Sequence, residues 1–126
     1  MKEKLLHTPE GVRDIYNSEC KRKSAVEKRI HHILELYGYQ DIETPTFEFF
    51  DIFNSDTGTV SSVEMFKFFD RNNNTLVLRT DMTHSIARSV AKYYSACEFP
   101  LRLSSSGNKF LNNRSYQGKI TAKTEM

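Results

Sequence analysis

Leu76-Val77-Leu78-Arg79-Thr80-Asp81-Met82-Thr83 is the stretch on which the fold turns. Three consecutive apolar residues suit a buried strand, and the polar residues behind them open a helical pattern. Arg79, Asp81 and Thr83 alternate, so an extended backbone would set all three on one face. A carboxylate beside a hydroxyl is a pair that holds an ammonium group, with Arg79 setting the local charge. The same residues also read as an ordinary helix start, Asp81 capping it, Thr83 backing it and Arg79 on the surface. Composition alone favours that capping reading.

Working outward, Phe66 to Phe69 and Thr75 to Arg79 are two strands joined by Asp70-Arg71-Asn72-Asn73-Asn74, a hairpin connection because Asn and Asp tolerate positive φ. Downstream, a helix is expected from Met82 to Tyr94, burying Ile86, Ala87, Val90, Ala91 and Tyr94. Leu101 to Ser106 and Lys109 to Asn112 follow as strands with Gly107 as a break between them. A polar loop over 113–118 leads to a last strand from Lys119 to Glu125. Upstream, Tyr39 to Thr44 reads as a strand stopped at Pro45, which lacks the N–H a ladder needs. Thr46 to Phe53 is a strand or a short helix, and Asn54 to Ser62 a mobile loop. A long helix spans Ser18 to Tyr37, where Val26, Ile30, Ile33, Leu34 and Tyr37 draw one apolar stripe. Asn17 or Ser18 would cap it and Gly38 would close it. Its other face carries Lys21, Arg22, Lys23, Lys28 and Arg29, read as solvated in preference to a phosphate contact. Residues 1–17 are irregular. The order predicts an α+β fold: a mixed, mostly antiparallel sheet with flanking helices.

The chain has 126 residues, enough for one domain, and 38% of them are hydrophobic, which supplies a core. No run reaches the roughly 18 apolar residues that span a bilayer, and the N-terminus lacks a signal-peptide pattern. A net charge of +2 argues against nucleic acid as a partner. Cys20 and Cys97 are too few for a disulfide framework or a cysteine zinc site. The histidines His7, His31, His32 and His84 contain no i, i+4 pair, and no phosphate-binding glycine loop or nucleophile elbow occurs. These features predict a soluble cytoplasmic protein without metal or cofactor.

Together the pieces resemble the catalytic core of the class II aminoacyl-tRNA synthetases, in its histidyl branch. Pro9-Glu10-Gly11-Val12-Arg13-Asp14 is similar to that branch's entry segment. The long helix with Tyr37-Gly38-Tyr39-Gln40-Asp41-Ile42-Glu43-Thr44-Pro45 resembles motif 1, which builds the family's dimer interface. Leu78-Arg79-Thr80-Asp81-Met82-Thr83 resembles Leu-Arg-Pro-(Glu or Asp)-x-Thr, with Thr80 in place of the proline. The resemblance implies that Asp81 and Thr83 hold the α-amino group of histidine, with Arg79 and Glu125 as further histidine-binding candidates. Glu125 stands where the synthetases carry a glutamine.

Motif 2 departs from the synthetases. Where they have Phe-Arg-x-Glu-Arg, this chain has Phe110-Leu111-Asn112-Asn113-Arg114. The arginine lost at Leu111 is the one that grips the α-phosphate of ATP and the substrate carboxylate. Losing such a preorganised donor costs about 3–4 kcal/mol of transition-state stabilisation. The pattern therefore looks like the synthetase paralogues that serve as regulatory subunits of ATP phosphoribosyltransferase. That resemblance implies no catalysis and a part in the first step of histidine biosynthesis. It also implies histidine as effector, the short-form catalytic subunit as partner, and a homodimer through motif 1. The alternative is a histidyl-tRNA synthetase core fragment. On either reading, residues 1–126 are expected to be the N-terminal part of one class II core, with motifs 1 and 2 and without motif 3. The last strand is then expected to cover its edge through dimer or neighbour contacts.

Overall fold

The computed structural model describes residues 5–53, 62–112 and, in its backbone pairing, 120–125. The expected loops over 54–62 and 113–118 lie almost wholly outside the described residues.

The long helix, α1, runs Asn17–Leu36. Its close is as expected: Gly38 sits at φ +84°, a left-handed conformation that costs a glycine little. The Tyr39 N–H then donates to the Leu34 carbonyl at 3.0 Å. Its start differs. Tyr16 is the residue before the first turn, no side chain caps it, and Asn17 itself has φ +51°. Arg13 reaches Glu19 in that turn through two contacts of 2.6 and 3.0 Å. The apolar stripe is left outside: Val26, Ile33 and Tyr37 are 57%, 44% and 73% exposed.

Beyond Gly38 the chain forms short strands. Strand β1 (Gln40–Asp41) pairs in parallel with β5 (Leu103–Ser104), so both are two residues long where six were expected. The segment Thr46 to Phe53 resolves into both options, β2 (Phe47–Phe49) followed by the one-turn helix α2 (Phe50–Phe53). Strand β4 (Thr75–Leu78) lies between β2 and β3 (Lys67–Phe69), antiparallel to both. Val77 sits opposite Glu48 and Lys67, and its fully buried side chain packs with Phe53 and Met65. Strand β6 (Gly107–Asn112) pairs antiparallel with β7 (Ile120–Glu125), the strand expected at the end of the chain. Gly107 is not a break; it begins β6. The result is α+β, with one parallel pair among antiparallel ones.

The second major helix, α3 (Thr83–Tyr93), corrects the expected buried face. Ser85 and Ser89 are the buried positions, Ile86 and Val90 are half-buried, and Ala87 and Ala91 face solvent. Small serines thus line the covered side of the helix, and Arg88 reaches across to the buried Glu48. Its Nη2 and Nε donate to Glu48 Oε1 at 2.8 and 3.2 Å.

Two expectations follow. Replacing Arg88 by Met leaves the Glu48 carboxylate buried without a cation, and unfolding in urea should show a loss of about 3 kcal/mol. Asp70 holds the hairpin turn by accepting hydrogen bonds from the Asn74 side chain and from the Asn74 and Asn72 amides. These bonds, that from the Asn74 side chain foremost, hold its carboxyl below the usual 3.8. The turn's contribution to stability is complete above that pH and disappears as pH falls through the lowered value. An NMR titration of the carboxyl carbon should show the depressed midpoint, and Asp70→Ala should remove the acid dependence.

Candidate functional site

The chain leaves β4 at Leu78 and reaches α3 at Thr83 through four residues, three of them buried: Arg79, Thr80 and Met82. Arg79 lies at the centre. Its backbone N–H donates to the Thr46 carbonyl at 2.9 Å, and its carbonyl accepts from the Phe110 N–H at 2.8 Å. Its guanidinium donates through Nε to the Asn108 carbonyl at 2.6 Å and through Nη1 to the Thr44 carbonyl at 3.3 Å. One residue thus joins β4 to the segment after Pro45 and to β6. Gly107 makes this possible, because a Cβ there would collide with the guanidinium.

The alternation expected for Arg79, Asp81 and Thr83 does not survive the turn. Met82 already has helical angles, φ −102° and ψ −10°, so Thr83 belongs to α3 and not to an extended piece. Asp81 does what a helix-start acid does: Oδ1 accepts from the Thr83 N–H at 3.0 Å. Nδ1 of His84 lies 3.2 Å from the same oxygen, with the His84 ring against Phe53. Both contacts use Oδ1 and leave Oδ2 outside them.

Two cavities meet at this turn. One, of about 210 Å³, is polar and is lined by Arg79 with Thr44, Thr46 and Ser106. The other, of about 410 Å³, is mostly apolar and lies between α1 and α3, lined by Ile30, Leu34, Tyr39, Thr83, Ile86 and Leu103. Met82 and Ser105 line both. Arg79 and Thr83 therefore face different spaces, and Asp81 lines neither. Glu125 is in β7, its Cα opposite Gly107 and hence at the end of the β6–β7 pair where Arg79 attaches.

Sequence reading did not find the Glu48–Arg88 ion pair or the contact of His31 with Asp41. His31 Nε2 lies 2.5 Å from Asp41 Oδ1, and that hydrogen bond raises the imidazole above its ordinary 6.5. The partners are 40 and 10 residues apart, and no local spacing marks either pair.

The sequence profile of the histidyl-tRNA synthetases matches residues 11–125. The chain is 40% identical over 119 residues to the ATP phosphoribosyltransferase regulatory subunit of Clostridium novyi, and 42% identical over 119 residues to that of Acetivibrio thermocellus. Each match covers 94% of this chain and 28% of the relative, so the chain spans less than a third of their length. A crystal structure of an ATP phosphoribosyltransferase regulatory subunit/histidyl-tRNA synthetase from Bacillus halodurans superposes with a TM-score of 0.80 at 33% identity, covering 95% of this chain and 31% of that one. Apo histidyl-tRNA synthetase of S. aureus superposes at 0.72 with 25% identity, covering 94% and 28%. The fold is the class II, histidyl-tRNA synthetase-like one. No helix among the described residues is long and apolar enough to cross a membrane.

The Gly107 contact yields an expectation for this site. Gly107→Ala should destabilise the chain by roughly 1–3 kcal/mol, as overpacking does. In an Arg79→Ala background the added methyl meets no guanidinium, so most of that cost should vanish in a double-mutant cycle.

Proposed function

Since this chain belongs to the histidyl-tRNA synthetase family, we propose that it is the N-terminal part of a non-catalytic regulatory subunit of ATP phosphoribosyltransferase. In this reading the whole protein works in the cytoplasm, binds histidine as an effector and activates the short-form catalytic subunit in the first step of histidine biosynthesis. One observation carries the choice between regulator and synthetase. Leu111 lies in β6 where the resemblance to motif 2 calls for an arginine. A leucine has no donor for the charge that develops when an amino acid is adenylated. The names of the relatives at about 40% identity point the same way.

The histidine site in this proposal uses Asp81 and Thr83 for the ammonium group, with Arg79 and Glu125 as further candidates. Support comes from Asp81 Oδ2, left outside the capping contacts, and from Thr83, which lines the larger cavity. A ligand held without being consumed shifts the complex toward whichever state binds it better. The exposed stripe of α1, with Phe47 and Phe49 of β2 about half exposed beyond Pro45, supports a two-fold homodimer through these elements.

Calorimetry with histidine on the full-length protein tests the site. Asp81→Ala removes a charge-assisted hydrogen bond of about 1.5–3 kcal/mol, so affinity should drop roughly ten- to a hundredfold. Unchanged affinity would refute the assignment. Histidine-dependent ATP–pyrophosphate exchange should be absent; if present, the protein is a synthetase. Pull-down of the short-form catalytic subunit, with its activity measured with and without histidine, tests the partner.

A further inference from the structure

His84 follows Thr83 directly, one position beyond the end of the motif that Leu78 to Thr83 resembles. It is the second residue of α3, so its side chain leans back toward the turn that precedes the helix. There its Nδ1 lies 3.2 Å from Asp81 Oδ1, the oxygen that also accepts from the Thr83 N–H at 3.0 Å. A carboxylate only accepts, so the ring nitrogen facing it carries the hydrogen and donates. Asp81 Oδ1 thus takes two donors, one from the backbone and one from a side chain. The pair is mostly covered, the Asp81 and His84 side chains being 21% and 27% exposed.

The ring is itself held. Its centroid lies 5.2 Å from that of Phe53 with the planes tilted by 58°, a separation in the range of aromatic pairs. Phe53 is buried and packs with Met65 and Val77, so the imidazole rests against the core and not against a loop. The neighbouring Ser85 is fully buried, which fixes the helix turn that carries the ring. A single bond from the Thr83 amide settles where Oδ1 sits and leaves the carboxylate free to turn about that contact. The second bond, from a ring seated on the core, removes this freedom. Oδ2 is then presented in one direction, outside both contacts.

We infer that His84 is a positioning residue of the histidine site, aiming the free oxygen of Asp81 at the ligand's ammonium group. The inference rests on the proposed role of Asp81 as the ammonium's partner. A carboxylate already held in place is spared the ordering that a loose one undergoes on binding, worth roughly three- to tenfold in affinity. Calorimetry with histidine on the full-length protein tests it. His84→Phe keeps a ring against Phe53 and loses the donor, so histidine should bind roughly three- to tenfold more weakly. His84→Asn puts an amide N–H in the place of Nδ1–H and should recover most of that loss. Added to Asp81→Ala, His84→Phe should cost nothing further, because it acts only through Asp81. Thermal melting verifies the fold of each variant; should His84→Phe lose it, His84→Ala takes its place. Parent-like affinity in His84→Phe, with Asp81→Ala weakened, overturns the positioning role and leaves the site standing. No recovery in His84→Asn, or a further loss in the double variant, assigns the effect to packing and overturns it as well. Parent-like affinity in Asp81→Ala removes the site and the inference together.

Discussion

The buried guanidinium of Arg79 is the constraint on which the remaining structure hangs. Three segments distant in sequence, around Thr44, Arg79 and Asn108, are drawn together by its two side-chain bonds and the backbone bonds beside them. A buried cation must be met by acceptors, or the charge would not stay in the interior. Here backbone carbonyls meet it, one from the segment between β1 and β2 and one from β6. The arginine thus ties the end of β4 to the segment before β2 and to the β6–β7 pair, which share no ladder with it. Gly107 is the counterpart of that arrangement, since only a residue without a Cβ leaves the space that the guanidinium occupies.

From that anchor the other parts follow. The turn after β4 is held from below by Arg79 and from above by Asp81, whose Oδ1 takes the first amide of α3. Arg88, one turn and a half along α3, returns to Glu48 in β2 and keeps the helix across the sheet. Helix α3 packs on α2 with its Ser85 and Ser89 buried and the His84 ring against Phe53. Helix α1 is attached differently. It lends Leu34 and Ile30 to the cavity beside α3 and His31 to Asp41, and the rest of its apolar stripe stays outside. A 20-residue helix with no buried residue draws little from tertiary burial within this chain. That is the physical ground for expecting a second surface against it.

Much of this was legible beforehand because it is local. The hairpin around Asp70 declares itself through Asn and Asp between two apolar runs, and Asn73 does take φ +61°. The close of α1 at Gly38 and the strand-to-helix change at Met82 are equally local. The pairing of β1 with β5 was not legible, since two residues of strand carry no period. The buried face of α3 was misread because hydrophobic periodicity marks the apolar side, whereas the side that is covered carries Ser85 and Ser89. Gly107 was misread for a related reason: its cause is a side chain 28 residues away.

By itself, then, the sequence determined most of the element types and their order, the α+β class and the kinship with the synthetases. Each depends on neighbours within a few residues or on motifs in linear order. Only the tertiary structure decided which candidate side chains share a space. It parted Arg79 from Thr83, because Met82 enters the helix before strand alternation can carry Thr83 to the same side. It also gathered His31, Glu35 and Asp41, because β1 turns back along α1 after Gly38. Proximity of side chains depends on where the backbone turns and what it packs against, and those are properties of the whole chain.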